Sequence, residues 1–118
     1  MENPIVKTSE IRISIGLDAE NIPLSIGWSA DDGPEGENLQ ASKAMLLSFF
    51  DPEHKDTLKI DLWTKELQVA EMDRMMYQTL RGLADTYYRA TQNRELATDM
   101  QQFVQYFGEK TEILPKSK

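Results

Sequence analysis

The stretch Thr57-Leu58-Lys59-Ile60-Asp61-Leu62-Trp63-Thr64-Lys65-Glu66-Leu67-Gln68-Val69-Ala70-Glu71-Met72 contains the change of period that decides the fold. Up to Trp63, apolar residues fall on every second position, the repeat of a strand with one covered face. Beyond Leu67 they recur at Val69, Met72, Met76, Leu80, Leu83, Tyr87 and Ala90. These steps of three and four trace one stripe of a long helix. Strands therefore come first and helices last. The order predicts an α+β fold: a four-stranded antiparallel sheet followed by two helices packed on one face.

Working upstream, Ile11, Ile13, Ile15 and Leu17 share one face, and Glu10, Arg12, Ser14 and Gly16 the other. Ile22, Leu24, Ile26 and Trp28 repeat the pattern. If Asp18-Ala19-Glu20-Asn21 is a four-residue turn, Leu17 faces Ile22, Ile15 faces Leu24, Ile13 faces Ile26 and Ile11 faces Trp28. Asp31 to Asn38, with Gly33-Pro34 and Gly36, reads as a crossing connection. The third strand is then Ala44 to Phe50 and the fourth Thr57 to Trp63, joined by the polar turn Asp51 to Asp56. Asp51 opposite Asp56 pairs Phe49 with Leu58, Leu47 with Ile60 and Met45 with Leu62.

Asn93 has the position and side chain of an N-cap for the second helix, with Glu95 in the first turn. Leu96, Met100, Phe103 and Phe107 form its stripe, and Gly108 is the expected C-cap. The methionines at 72, 75, 76 and 100 read as core filling rather than as an adaptable peptide surface. One domain, 1–118, is expected, with its core at about 8–110 and frayed ends at 1–6 and 115–118.

Composition narrows the function. The chain has 118 residues, no cysteine, and thirteen Lys plus Arg against twenty Asp plus Glu, a formal charge of −7. Disulfides and thiolate metal sites are excluded. A net negative charge repels phosphate backbones, so nucleic acid is not an expected partner. No apolar run approaches the roughly 20 residues of a membrane span, and no secretory leader is evident, so a soluble cytoplasmic protein without membrane insertion is expected.

No residues assemble into a recognisable catalytic set, and no cofactor is expected. His54, the only histidine, lies in a polar turn. Asp31, Asp32, Glu35 and Glu37 gather oxygen ligands in one loop, but without an EF-hand pattern. They suggest a solvated turn before a hard-cation site, and no metal ligand is assigned. A small-ligand or metal-dependent protein or enzyme using Asp31 and Asp32 beside Trp28 is the alternative reading. The expected outer face of the second hairpin is more informative. Leu46, Phe50 and Trp63 would form an exposed apolar patch there, and such patches mark contact surfaces. A second subunit or a client peptide would cover it, unless Gly33 to Leu39 folds back as a lid.

Taken together, Gly16-Leu17-Asp18, Ile26-Gly27-Trp28-Ser29-Ala30-Asp31-Asp32 and Ser42-Lys43-Ala44-Met45-Leu46-Leu47-Ser48 resemble the gliding motility protein GldC family. The similarity continues through Thr57-Leu58-Lys59-Ile60-Asp61-Leu62-Trp63-Thr64-Lys65. It extends to Gln78-Thr79-Leu80, Ala84-Asp85-Thr86 and Arg89-Ala90-Thr91, so that it spans about Thr8 to about Lys110. Gln68-Val69 stands where the family usually has Pro-Val, and Glu35 to Asn38 differs in detail. The resemblance implies an accessory protein of surface gliding in bacteria of the Bacteroidetes lineage, with no catalytic residues. The ββββαα order is also that of the export chaperone SecB, an analogy of element order alone. It adds the expectation of a protein-binding adaptor or chaperone-like factor for motility or secretion machinery, with a possible homo-oligomer.

Overall fold

In the computed structural model the described residues are 3–115; positions 1–2 and 116–118, part of the ends expected to fray, lie outside them. Five strands precede two helices: β1 (Ile11–Leu17), β2 (Pro23–Ala30), β3 (Gln40–Ser42), β4 (Ala44–Phe50), β5 (Thr57–Trp63), α1 (Val69–Thr91) and α2 (Arg94–Lys110). The chain divides into two compact units, a strand unit up to Leu67 and a helical unit from Gln68.

The α+β class and the order of strands before helices hold, but the single four-stranded sheet does not. The strand unit contains a three-stranded sheet, β1-β2-β3, and a separate two-stranded sheet, β4-β5. The division falls at Lys43, between β3 and the segment expected as the third strand. There the ladder changes partner: Ser42 pairs with Ile26 of β2, and Ala44 pairs with Trp63 of β5. Ser42 Oγ donates to the Ala44 carbonyl at 2.7 Å, and the Lys43 carbonyl accepts from Thr64 N at 2.8 Å. Alternation reports which residues share a face; it carries no information on where a strand exchanges one neighbour for another.

The first hairpin is displaced by two residues from the expected register. Ile15 faces Ile26, Ile13 faces Trp28 and Ile11 faces Ala30, with an irregularity between Gly16 and Leu17 that sets Leu17 against Pro23. The cause lies in the turn. Asp18 N donates to the Ile22 carbonyl at 3.0 Å, and its carboxylate accepts from Glu20 N and Ile22 N at 2.8 and 3.0 Å. Asn21 takes a left-handed conformation, φ 64°, which an asparagine tolerates well. The turn therefore consumes more residues than a four-residue loop. An even displacement preserves the faces, so the grouping of the isoleucines survives the change of partners. The second hairpin keeps the expected register: Met45 faces Leu62, Leu47 faces Ile60 and Phe49 faces Leu58.

In the helical unit, Gln68 N donates to the Glu71 carboxylate at 3.0 Å, which closes the start of α1. Gln92, at φ 61°, ends α1 in a left-handed cap. Asn93 then accepts from Leu96 N at 3.0 Å and starts α2, as expected. So short a link makes the helices an antiparallel pair. Tyr77 and Ala84 of α1 and Ala97 and Val104 of α2 are buried. This set differs from the expected stripes, since Val69, Leu83, Leu96 and Phe103 are exposed. The two alanines let the backbones approach, and periodicity reading passes over so small a side chain. Gly108 is not the C-cap. It lies inside α2, which continues to Lys110, and a Cβ there would stand 2.7 Å from both Tyr77 Cε1 and Leu114 Cδ1.

Candidate protein-interaction surface

The β4-β5 register fixes what each face of the second hairpin carries. One face bears Ala44, Leu46, Ser48, Phe50, Thr57, Lys59, Asp61 and Trp63. Leu46, Phe50 and Trp63 therefore share a face, and they are 37%, 66% and 53% exposed. They do not form one continuous patch. Trp63 is opposite Ala44 and diagonal to Leu46, so these three are neighbours. Phe50 lies four residues further along, about 13 Å away at the rise of a strand. Ser48 opposite Lys59, and the ion pair of Lys59 with Asp61, separate it from the other two.

The Gly33 to Leu39 segment is not a lid over this patch. Leu39 packs instead on the first hairpin, where a Cβ added to Gly27 would meet Leu39 Cδ2 at 2.7 Å. Gly27 is thus a site of close approach, where any larger residue would make the Leu39 side chain shift. Gly27 and Ser29 are buried on that side of β2.

The acidic loop is spent on local structure. Asp31 N donates to the Glu10 carbonyl at 3.0 Å, and its carboxylate accepts from Glu10 N and Arg12 Nη1, both at 3.1 Å. Hydrogen bonding to Asp31, with added attraction from Asp31 and Glu10, raises the Arg12 guanidinium above its usual pKa. Asp32 binds Ser9 Oγ and, at 3.0 Å, Lys7 Nζ. These two bonds hold its carboxyl below the usual range. The hollow beside Trp28, about 260 Å³, has Glu35 as its one acid, and neither Asp31 nor Asp32 lines it. Among the described residues no cluster of three or more His, Cys, Asp or Glu is placed to hold a metal ion.

His54 is likewise part of its own turn. Asp51 Oδ2 accepts from His54 N at 2.6 Å and lies 2.9 Å from His54 Nδ1. The backbone bond first, and the ring second, lower the Asp51 pKa. What sequence reading missed is the other face of the second hairpin. Met45, Leu47, Phe49, Leu58, Ile60 and Leu62 share one face, as the expected register has it, and Phe49, Leu58 and Ile60 on it are exposed. The sequence showed a six-residue face without one polar side chain, but that only two strands carry it follows from the division of the sheet.

Among the described residues, no helix is long and apolar enough to cross a membrane. No curated protein and no solved structure matches the chain. A family model, described as gliding motility-associated protein GldC-like, matches residues 23–113, about three quarters of the chain. That span takes in β2 to α2 and with them the Leu46 and Trp63 surface, and the chain belongs to the GldC-like family of gliding motility-associated proteins.

Proposed function

We propose that this protein is a non-enzymatic, cytoplasmic accessory of gliding motility, an adaptor or chaperone-like factor that holds a protein partner of the motility or secretion machinery on the Leu46 and Trp63 face of the second hairpin. The association with gliding motility follows from the family. The binding role is supported chiefly by exposed Leu46 and Trp63 beside half-buried Ala44, framed by the Lys59 and Asp61 pair. Apolar side chains rimmed by polar ones are the usual composition of a protein-contact surface. An aromatic anchor such as Trp63 is the residue type on which binding energy concentrates. A non-enzymatic role accords with acids committed elsewhere: Asp31 and Asp32 tie down residues 7–12, and Asp51 closes its own turn.

The test is titration of the purified protein with a permanently unfolded, reduced and alkylated polypeptide, followed by isothermal calorimetry. Leu46→Asp is expected to weaken binding at least tenfold, and the double change Asp31→Asn, Asp32→Asn to leave it unaltered. Equal loss in both variants, or no binding by the wild type, overturns the proposal. Complementation of a gliding-deficient deletion strain with Leu46→Asp, scored by colony spreading, connects the surface to motility.

A further inference from the structure

The hollow beside Trp28 is built wholly from the stretch 28–40, inside the strand unit, and Leu46 and Trp63 take no part in it. Three successive turns shape one wall. Gly33 N donates to the Ala30 carbonyl at 2.9 Å, Gly36 N to the Gly33 carbonyl at 3.1 Å and Asn38 N to the Glu35 carbonyl at 3.1 Å. Gly36 takes a left-handed conformation, φ 58°, which a glycine adopts without strain. The other wall is strand: Trp28, buried Ser29 and Ala30 end β2, and Gln40 pairs with Trp28 in the ladder.

The lining favours one kind of ligand. Trp28 is 40% exposed and supplies an indole, and Glu35 supplies the only charge. Asn38 and Gln40 add side-chain carbonyls. Among the described residues the side chains of Glu35, Asn38 and Gln40 have no hydrogen bond or ion pair, unlike neighbouring Asp31 and Asp32. An aromatic face attracts a cation. A carboxylate with carbonyl acceptors beside it matches the several N–H donors of a guanidinium. The surrounding field has the right sign. Residues 1–67 carry six Lys plus Arg against thirteen Asp plus Glu, so the whole formal charge of −7 lies in the strand unit, and residues 68–118 balance seven against seven. Such a unit draws cations and repels anions.

Size and supply select the occupant. At about 260 Å³ the hollow is smaller than the roughly 300–1,000 Å³ of sites that enclose a whole small molecule, and it suits a single side chain. The arginines of this chain are engaged elsewhere. Arg12 pairs with Asp31 and Glu10, Arg89 pairs with Asp85, Arg81 lies over Tyr77 and Arg94 over Tyr88. Arg74 lies among Glu71, Asp73 and Glu112 in the helical unit. We propose that the hollow beside Trp28 receives an arginine side chain of a protein partner, its guanidinium against the indole and its N–H groups donating to Glu35, Asn38 and Gln40. The site does not depend on the Leu46 and Trp63 surface.

The test reads the indole N–H signals of the full chain by ¹⁵N-correlated NMR. The chain has two tryptophans, and Trp63→Phe assigns the pair. N-acetyl-arginine amide at millimolar concentration is expected to move the Trp28 signal saturably and to leave that of Trp63 in place. N-acetyl-citrulline amide has the same shape without the charge. It is expected to bind about fivefold more weakly, as is the arginine probe to Glu35→Gln, because a charge-assisted bond becomes a neutral one. Glu20→Gln, the same loss of charge elsewhere in the strand unit, is expected to bind like wild type. No movement of Trp28, equal movement with the citrulline probe, or equal weakening by Glu20→Gln overturns the proposal. So does a Trp28 signal that shifts on dilution of the protein alone, which assigns the hollow to a second copy. A shift caused by Arg74→Ala without any probe assigns it to the chain itself and overturns the proposal as well. Because the unfolded-polypeptide titration reads Leu46, either proposal can fail without the other.

Discussion

Lys65 Nζ lies 3.0 Å from Asp18 Oδ2, joining the residue two beyond β5 to the turn between β1 and β2. The same carboxylate accepts two backbone N–H groups of its own turn. Asp18 therefore shapes the first hairpin and also links the β1-β2-β3 sheet to the end of the β4-β5 sheet. The hydrogen bond from Ile22 N, then Lys65, and then Glu20 N lower its pKa.

This makes acid sensitivity the first expectation. The folded-state pKa of Asp18 is below its unfolded value of about 3.9, so its contribution is fully present above that value. It is lost as pH falls through the lower, folded-state value. Urea midpoints measured from pH 7 down to pH 2 are expected to drop less steeply for Asp18→Asn than for wild type. Asp18→Ala, which removes the acceptor altogether, is expected to have the lowest midpoint at pH 7. A wild-type profile unchanged by either variant contradicts the assignment.

Thr64 is buried, and its Oγ1 has no hydrogen-bond partner among the described residues, although its backbone N–H reaches the Lys43 carbonyl at 2.8 Å. A buried hydroxyl without a partner costs about 1–3 kcal/mol. Thr64→Val keeps the shape and removes the hydroxyl, so it is expected to stabilise the protein by about 1 kcal/mol in urea unfolding. Destabilisation would show that the hydroxyl is satisfied in solution.

Two glycines of the helical unit are expected to respond in opposite directions. Gly82 has open space where a Cβ would go, and Gly82→Ala gains helix propensity of about 0.5–1 kcal/mol. A Cβ at Gly108 would lie 2.7 Å from Tyr77 Cε1 and from Leu114 Cδ1. Forcing a methyl group into such a contact costs about 1–3 kcal/mol, more than the propensity returns. Thermal unfolding of the two variants is expected to move Tm up for Gly82→Ala and down for Gly108→Ala.

The carboxylates of Asp31 and Asp32 receive Lys7, Ser9, the Glu10 backbone and Arg12. Changing both to Asn weakens the charge-assisted bonds that hold this segment. Amide hydrogen exchange over residues 7–12 is expected to accelerate severalfold, with β4 and β5 unaffected. An added divalent cation is expected to leave exchange unchanged in both proteins.

Sequence period alone determined that strands precede helices, which residues of each strand share a face, and the register of the second hairpin. Those properties are local: a side-chain repeat of two or of 3.6 residues follows from backbone geometry. The N-cap at Asn93 was legible for the same reason, because one side chain satisfies one N–H three residues away. Leu46, Phe50 and Trp63 were correctly placed on one face, but their separation into a pair and an outlier depended on the Lys59 and Asp61 ion pair between them. The first hairpin's register was misread because the Asp18 carboxylate and Asn21 enlarged the turn. Tertiary structure alone decided three things: the exchange of strand partners at Lys43, the burial of Tyr77, Ala84, Ala97 and Val104, and the exposure of Phe49 and Leu58. Each depends on which distant segments meet, and burial by a distant segment leaves no period in the chain that is buried.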